Sequence, residues 1–225
     1  MALYWTLWII VRGFARVFFH LQVSGEDHIP RTGGVLIAAN HASYLDIPIL
    51  GCALPRRASF IGRMDLFAGI VGYILRYLGW IPIRRGRVDR KAFDEAVRRL
   101  KAGQVVVIYP EGSRSESGHL QPGKPGIGIM AATAGCPVVP ALLEGTYEAL
   151  PPGAKWIRFR PMRVAFGKPM DFSTALETES EDKKKFVYQQ MSEEIMDRIA
   201  ELRQQKSSHP HPLPGEEGRV TGISS

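Results

Sequence analysis

His41 and Asp46 stand five residues apart in "NHASYLD", residues 40–46, directly after the apolar run "GVLIA". A carboxylate on one imidazole nitrogen fixes the tautomer and makes the other nitrogen more basic. That is the equipment for taking a proton from a hydroxyl or a thiol. In α/β sheets such groups gather at the carboxyl ends of strands, where loops are free to hold ligands. A plainer reading stands beside it, with Asp46 as a helix-cap acid and His41 as a polar strand end. A metal site is disfavoured, because no third ligand lies nearby at a recognisable spacing.

A second cluster, "YPEGSRSESGHLQPGKPG" at residues 109–126, follows the apolar run "QVVVI". Pro110 and Gly112 suit a tight turn, and Glu111, Ser113, Arg114, Ser115 and Lys124 crowd polar groups behind it. Turn N–H groups together with Arg and Lys suit a phosphate. Glu111 is placed either to aim Arg114 or to accept from a substrate hydroxyl; an ordinary solvated loop is the competing reading. "GWIPIRRGR" at 79–87 adds Arg84, Arg85 and Arg87, which by themselves read as a basic surface run.

The elements that must position these residues alternate between strand and helix. "VLIAAN", "RRASFIGR", "IPIRR", "QVVVIYP" and "PVVPALLEG" read as short, mostly buried strands, and "WIRFRPMRVAFGKP" as further strands or a hairpin. Helices are expected from Ser43 to Leu54, with Ser43 and Asp46 as its capping box, and over "MDLFAGIVGYILRYLGW", "DRKAFDEAVRRLKAG" and "IGIMAATAG". A long charged helix over "EDKKKFVYQQMSEEIMDRIAELRQQ" presents Val187, Met191, Ile195, Ile199 and Leu202 as its seam. The pattern is that of an α/β protein with a central mixed, partly parallel sheet flanked by helices. Residues 1–24 form an N-terminal membrane-interface helix, 25–206 the α/β domain, and 207–225 a tail of disordered composition.

The 225 residues carry a formal net charge of +7, with 45% hydrophobic and 23% charged residues. That is an ordinary globular composition with a basic balance, so the partner is anionic: nucleic acid, an acidic membrane face or a phosphorylated substrate. Nucleic acid is disfavoured, because the basic residues are not interleaved with exposed aromatics on a recognisable binding module. The aromatics concentrate instead in "ALYWTLWIIVRGFARVFFHLQV", where Thr6, Arg12, Arg16 and His20 fall near one narrow stripe of an otherwise greasy helix. Such a helix lies in a membrane interface, with Arg snorkelling to headgroups; a core helix with a polar edge and a spanning anchor are the alternatives. Cys52 and Cys136, in no C-x-x-C pattern, read as reduced apolar residues and fit a cytosolic-side location.

"NHASYLD" matches the N-H-x-x-x-x-D block of the glycerolipid acyltransferases, the PlsC-like family that includes lysophosphatidic acid acyltransferase. "GWIPIRR" resembles the family's second block, with Arg85 in the place of its arginine. "YPEGSRS" is similar to the third, with Tyr109 for Phe and Ser113 for Thr. "CPVVPALL" resembles the fourth, apolar block, with Pro140, and "FGKP" at 166–169 the family's last strand. The blocks stand in order across residues 25–170.

The resemblance implies acyl transfer from a thioester, acyl-CoA or acyl-carrier protein, to a lipid hydroxyl, with lysophosphatidic acid the leading acceptor and another lysolipid the rival. His41 is then the general base and Asp46 its orienting carboxylate. Arg114, Lys124 and Arg85 hold the acceptor phosphate, Glu111, Gly112 and Ser113 shape the pocket, and backbone N–H groups of the third block are candidate oxyanion donors. Neither cofactor nor metal is required, and no covalent acyl-enzyme. The partners are membrane lipids and the thioester donor, at the cytoplasmic face of a membrane, with the N-terminal helix and the Leu66–Trp80 segment docked on it. A lipase-like hydrolase lacks its G-x-S-x-G nucleophile, and a non-catalytic membrane binder has no need of the His–Asp pair.

Overall fold

In this computed structural model, which describes residues 2–63, 77, 79–83, 89–173 and 181–208, the chain runs in the order α1 (Ala2–Phe18), β1 (Gln22–Ser24), β2 (Val35–Ala39), α2 (Asp46–Ala53), β3 (Ala58–Arg63), β4 (Ile81–Ile83), α3 (Arg90–Lys101), β5 (Val105–Ile108), α4 (Gly126–Ala134), β6 (Val138–Glu144), α5 (Thr146–Ala149), β7 (Arg163–Phe166) and α6 (Glu181–Ser208). Val35, Leu36, Ile37, Ala38 and Ala39 have no solvent exposure at all. A strand with both faces apolar must lie inside a sheet covered on both sides, which is where parallel strands are found.

The described strands form one sheet in the order β1-β7-β6-β2-β5-β3-β4. β2 pairs parallel with β5 on one side and with β6 on the other, and β3 and β4 continue the parallel set. β7 runs antiparallel to β6, and β1 pairs parallel with β7. The sheet is therefore mixed and mostly parallel.

Alternate residues of β2 enter different cores, as the two-residue period of a strand requires. Val35, Ile37 and Ala39 join Ala15 of α1, Phe19 just after it, and Ile49, Leu50 and Leu54 of the α2 region. Leu36 and Ala38 join α3 through Ala96, Val97 and Leu100, α4 through Ile127 and Met130, and α6 through Met191, Ile195, Ile199 and Leu202. α4 and α6 meet at a glycine: a Cβ on Gly128 would come within 2.3 Å of the Tyr188 carbonyl oxygen, so the close approach excludes any side chain there. Asp89 caps α3 by accepting from the Ala92 N–H at 3.2 Å.

Three expectations change. α2 begins at Asp46, not Ser43: residues 44 and 45 form a turn, although the capping-box bond from the Ser43 N–H to Asp46 Oδ2 is made at 2.8 Å. The stretch 156–162 forms no strand, so β7 stands alone without a hairpin partner from that segment. Arg12 does not snorkel outward: it is buried, donating to the Cys52 carbonyl at 3.1 Å and to Glu26 Oε1 at 2.9 Å. Trp8 Nε1 donates to the Leu54 carbonyl at 3.0 Å. The carboxyl end of a helix leaves carbonyls without intrahelical partners and carries partial negative charge. Arg12 and Trp8 supply the donors that the end of α2 lacks, so Arg12 turns inward while Thr6, Arg16 and much of the greasy face of α1 stay exposed.

No described helix is long and apolar enough to cross a membrane. The helix expected over 64–80 lies outside the described residues except for Tyr77, Gly79 and Trp80, as do Arg84, Arg85 and Arg87, while α6 runs through Ser208 and residues 209–225 lie outside.

Candidate active site

Sheet register brings the first and third blocks together. Ala38 pairs with Ile108, so His41 and Glu111 each stand three residues beyond a paired position, on neighbouring strand ends. The His41 N–H donates to Glu111 Oε1 at 2.9 Å, and the Ser115 N–H returns to the His41 carbonyl at 2.8 Å. The imidazole stacks on the Tyr109 ring, with centroids 4.0 Å apart and planes 16° from parallel. Backbone and ring are thus both held from the third block.

The carboxylate is held as firmly. Asp46 is sealed from solvent, and its Oδ2 lies 2.7 Å from His41 Nδ1 while accepting from the Ala42 N–H at 2.7 Å and the Ser43 N–H at 2.8 Å. A buried carboxylate with several donors is a good acceptor for the Nδ1 proton. The His41 side chain is 15% exposed. With Nδ1 taken by Asp46, Nε2 is the nitrogen left for a substrate proton.

Neighbouring polar groups pin the loop. Asn40 bridges to β6 twice, donating to the Leu143 carbonyl at 3.0 Å and accepting from its N–H at 2.7 Å. Ser43 Oγ donates to the Leu150 carbonyl at 2.8 Å and accepts from the Leu45 N–H at 3.1 Å. Ser43 therefore ties the turn to the α5 region and also closes the turn that leads into α2.

Glu111 neither pairs with Arg114 nor faces solvent: it is buried with its Oε1 under the His41 N–H. Burial pushes its carboxyl up to about 7, against the His41 N–H, which favours the charged form. Burial, and then the charge of Asp46, push the Tyr109 phenol well above its ordinary value, so the ring that stacks on His41 stays neutral.

The cationic residues lie on the outer side. Gly112 sits at φ 72°, the left-handed region that a tight turn needs, and a Cβ there would come 2.7 Å from Lys124 Nζ. The Lys124 ammonium therefore lies directly over the turn, and its backbone N–H donates to the Pro110 carbonyl at 3.0 Å. The Arg114 guanidinium carbon sits 3.6 Å from the centroid of the Tyr44 ring, a cation–π contact that joins the third block to the first. Ser113 is exposed beside it. The Gly112 and Ser115 N–H groups are committed to the Tyr109 and His41 carbonyls, whereas those of Ser113 and Arg114 have no partner among the described residues.

His41, Asp46, Glu111, Gly112, Arg114 and Lys124 are therefore linked through one continuous set of contacts; Arg85 lies outside the described residues. Two participants were assigned no role from the sequence: Tyr44 under Arg114 and Tyr109 under His41. Their signal was present, since both are aromatics inside the two polar blocks.

A His–Asp pair at a parallel-strand end, tied by hydrogen bonds to a neighbouring loop that carries two cations, is equipped to take a proton next to an anionic group. The profile of the family described as acyltransferase matches residues 20–144, and the chain belongs to that family. It is 24% identical over 184 residues to a 1-acyl-sn-glycerol-3-phosphate acyltransferase of Bacillus subtilis, covering 81% of this chain and 87% of that protein. A chloroplastic 1-acyl-sn-glycerol-3-phosphate acyltransferase of Brassica napus is 32% identical over 165 residues, which is 70% of this chain and 47% of the relative. The chain thus spans about half the length of that plant relative. A lyso-ornithine lipid O-acyltransferase of Pseudomonas aeruginosa is 30% identical over 148 residues, covering 65% of this chain and 55% of the relative. The crystal structure of the 1-acyl-sn-glycerophosphate acyltransferase PlsC from Thermotoga maritima superposes with a TM-score of 0.65 at 26% identity, covering 86% of this chain and 79% of that one.

Proposed function

We propose that this acyltransferase moves an acyl group from acyl-CoA or acyl-carrier protein to the free hydroxyl of lysophosphatidic acid, making phosphatidic acid. The observation that carries the reading is the 2.7 Å contact between His41 Nδ1 and Asp46 Oδ2, with Arg114 and Lys124 on the adjoining loop.

In this reading His41 Nε2 takes the acceptor hydroxyl proton as the oxygen attacks the thioester carbonyl. Asp46 keeps the proton on Nδ1 and stabilises the imidazolium that forms. The N–H groups of Ser113 and Arg114, free of other partners among the described residues, are the candidates to receive the developing oxyanion. Collapse of the tetrahedral state breaks the C–S bond, and the imidazolium returns its proton to the leaving thiolate. The products are a new ester and a free thiol. Arg114 and Lys124 hold the acceptor phosphate, with Gly112 and Ser113 shaping the turn beneath it and Arg85 as a third cation. Glu111 fixes the His41 backbone. The outward greasy face of α1 docks on the membrane that holds acceptor and product.

The test is transfer from labelled acyl-CoA to lysophosphatidic acid in detergent micelles, with His41→Ala beside wild type. Formation of phosphatidic acid by wild type alone supports the assignment; near-normal turnover by the variant removes His41 as the base. The likeness to a lyso-ornithine lipid O-acyltransferase favours a second reading, the same chemistry on another lysolipid. A panel of acceptors with and without a phosphate separates the two.

A further inference from the structure

Residues 155–160 read Lys-Trp-Ile-Arg-Phe-Arg and form neither helix nor strand. Trp156 is 84% exposed, Phe159 58% and Ile157 48%. Large apolar side chains grouped in water mark a surface that something covers.

The segment is anchored. The Arg158 N–H donates to the Ala149 carbonyl at 2.8 Å, and the Phe159 ring lies 5.4 Å from the rings of both Phe18 and Phe19. Through Phe159 the loop joins the outward face of α1, where Trp5, Ile9, Ile10, Phe14, Val17 and Phe18 are exposed. Two segments more than a hundred residues apart thus make one apolar surface.

Charge identifies what covers it. Lys155, Arg158 and Arg160 alternate with the apolar side chains, and Arg16 is exposed on α1. None of the four makes an ion pair among the described residues. No acidic residue occurs before Glu26 or between Glu148 and Asp171. A second copy presenting this surface would set cations against cations. An anionic bilayer answers both features, with aromatic side chains entering at headgroup depth and cations meeting lipid phosphates.

We propose that loop 155–160 is a second membrane-docking element, which with α1 seats the protein on an anionic lipid surface at two points. The proposal rests on the reading that α1 docks there. Arg158 and Arg160 also line a groove that passes Asn40 and Ala42, the residues flanking His41. Two-point seating sets this groove against the headgroup layer, where a lipid acceptor resides.

The experiment uses the full chain and vesicles of phosphatidylcholine with and without phosphatidylglycerol, and needs no turnover. Trp156→Phe keeps an apolar side chain but removes one fluorophore; in brominated vesicles it is expected to lose part of the quenched emission seen with wild type. Trp156→Ser with Phe159→Ser is expected to weaken sedimentation with anionic vesicles about tenfold or more, with thermal unfolding unchanged. A parallel Ile9→Ser, Ile10→Ser variant tests α1. If the loop variants bind and quench as wild type does while the α1 variant is released, the loop proposal falls and the α1 reading stands. If neither set changes binding, both fall. If the loop variant loses self-association in vesicle-free buffer but keeps vesicle binding, the surface is a protein contact and the proposal is overturned.

Discussion

Asp46 is closed to solvent and collects His41 Nδ1 and two backbone N–H groups on one oxygen. Lys124 and Ser113, on the other side of the same site, are exposed, and no side-chain hydrogen bond holds either among the described residues. Arg114 is placed by a stack on Tyr44. In the proposed reaction the half that would handle a proton is built from buried hydrogen bonds, which suits proton transfer because it fails with small errors in distance. The half that would meet a charge carries the exposed Lys124 and the stacked Arg114, which suits Coulomb attraction because it falls off gently and tolerates movement.

That contrast predicts a graded set of losses. His41→Ala is expected to lower turnover by about 10²-fold or more with a smaller loss of thermal stability than Asp46→Ala, because Asp46 keeps its two backbone N–H donors. Asp46→Ala is expected to lose turnover as severely and stability as well, since it strands the Ala42 and Ser43 N–H groups, each worth about 1–3 kcal/mol when buried without a partner. Equal and small stability losses in both would break the contrast.

Asn40→Ala strands the Leu143 N–H and carbonyl. It is expected to cost about 1–3 kcal/mol in denaturant unfolding, with a smaller loss of turnover than His41→Ala. A turnover loss without a stability loss would move Asn40 from holding the loop to touching substrate.

Arg114→Ala is expected to raise KM for a phosphate-bearing acceptor about tenfold, with kcat and unfolding nearly unchanged. A fall in kcat at constant KM would place Arg114 in the proton-handling half.

The smallest effect is on pH dependence. Burial raises the Glu111 carboxyl from 4.5 to about 7, so between those values the folded protein holds a proton that the unfolded chain releases. Its contribution to stability is full below that window and is lost as pH rises through it, the reverse of an ion-paired carboxylate. Glu111→Gln should flatten this slope in denaturation measured on either side of the window. An unchanged slope would show that Glu111 is not the group responsible.

Much of this was legible in the chain. Five strands, the helix over 90–101 and the seam of α6 follow from apolar runs and hydrophobic period, and His41 with Asp46 from their place after an apolar run. The errors share a cause. The start of α2 was placed at Ser43 because only its spacing to Asp46 was visible, whereas its hydroxyl also donates to the Leu150 carbonyl, distant in sequence. Arg12 looked like a snorkelling residue because the carbonyl end of α2 could not be seen beside it. Glu111 looked like a partner for Arg114 because Arg114 was its nearest cation in sequence, whereas the closer group in space is the His41 N–H, 70 residues away.

By itself the sequence determined the period of each element, where each strand stops, and which chemical groups stand at those stops, since all three follow from residues close together along the chain. Only the tertiary structure decided that β2 and β5 are neighbours, so that two polar strand ends became one site. It alone turned Arg12 of α1 inward and set Phe159 against Phe18. Strand order and helix docking are settled by burial and by unpaired backbone groups far apart in the chain, and no local pattern carries that information.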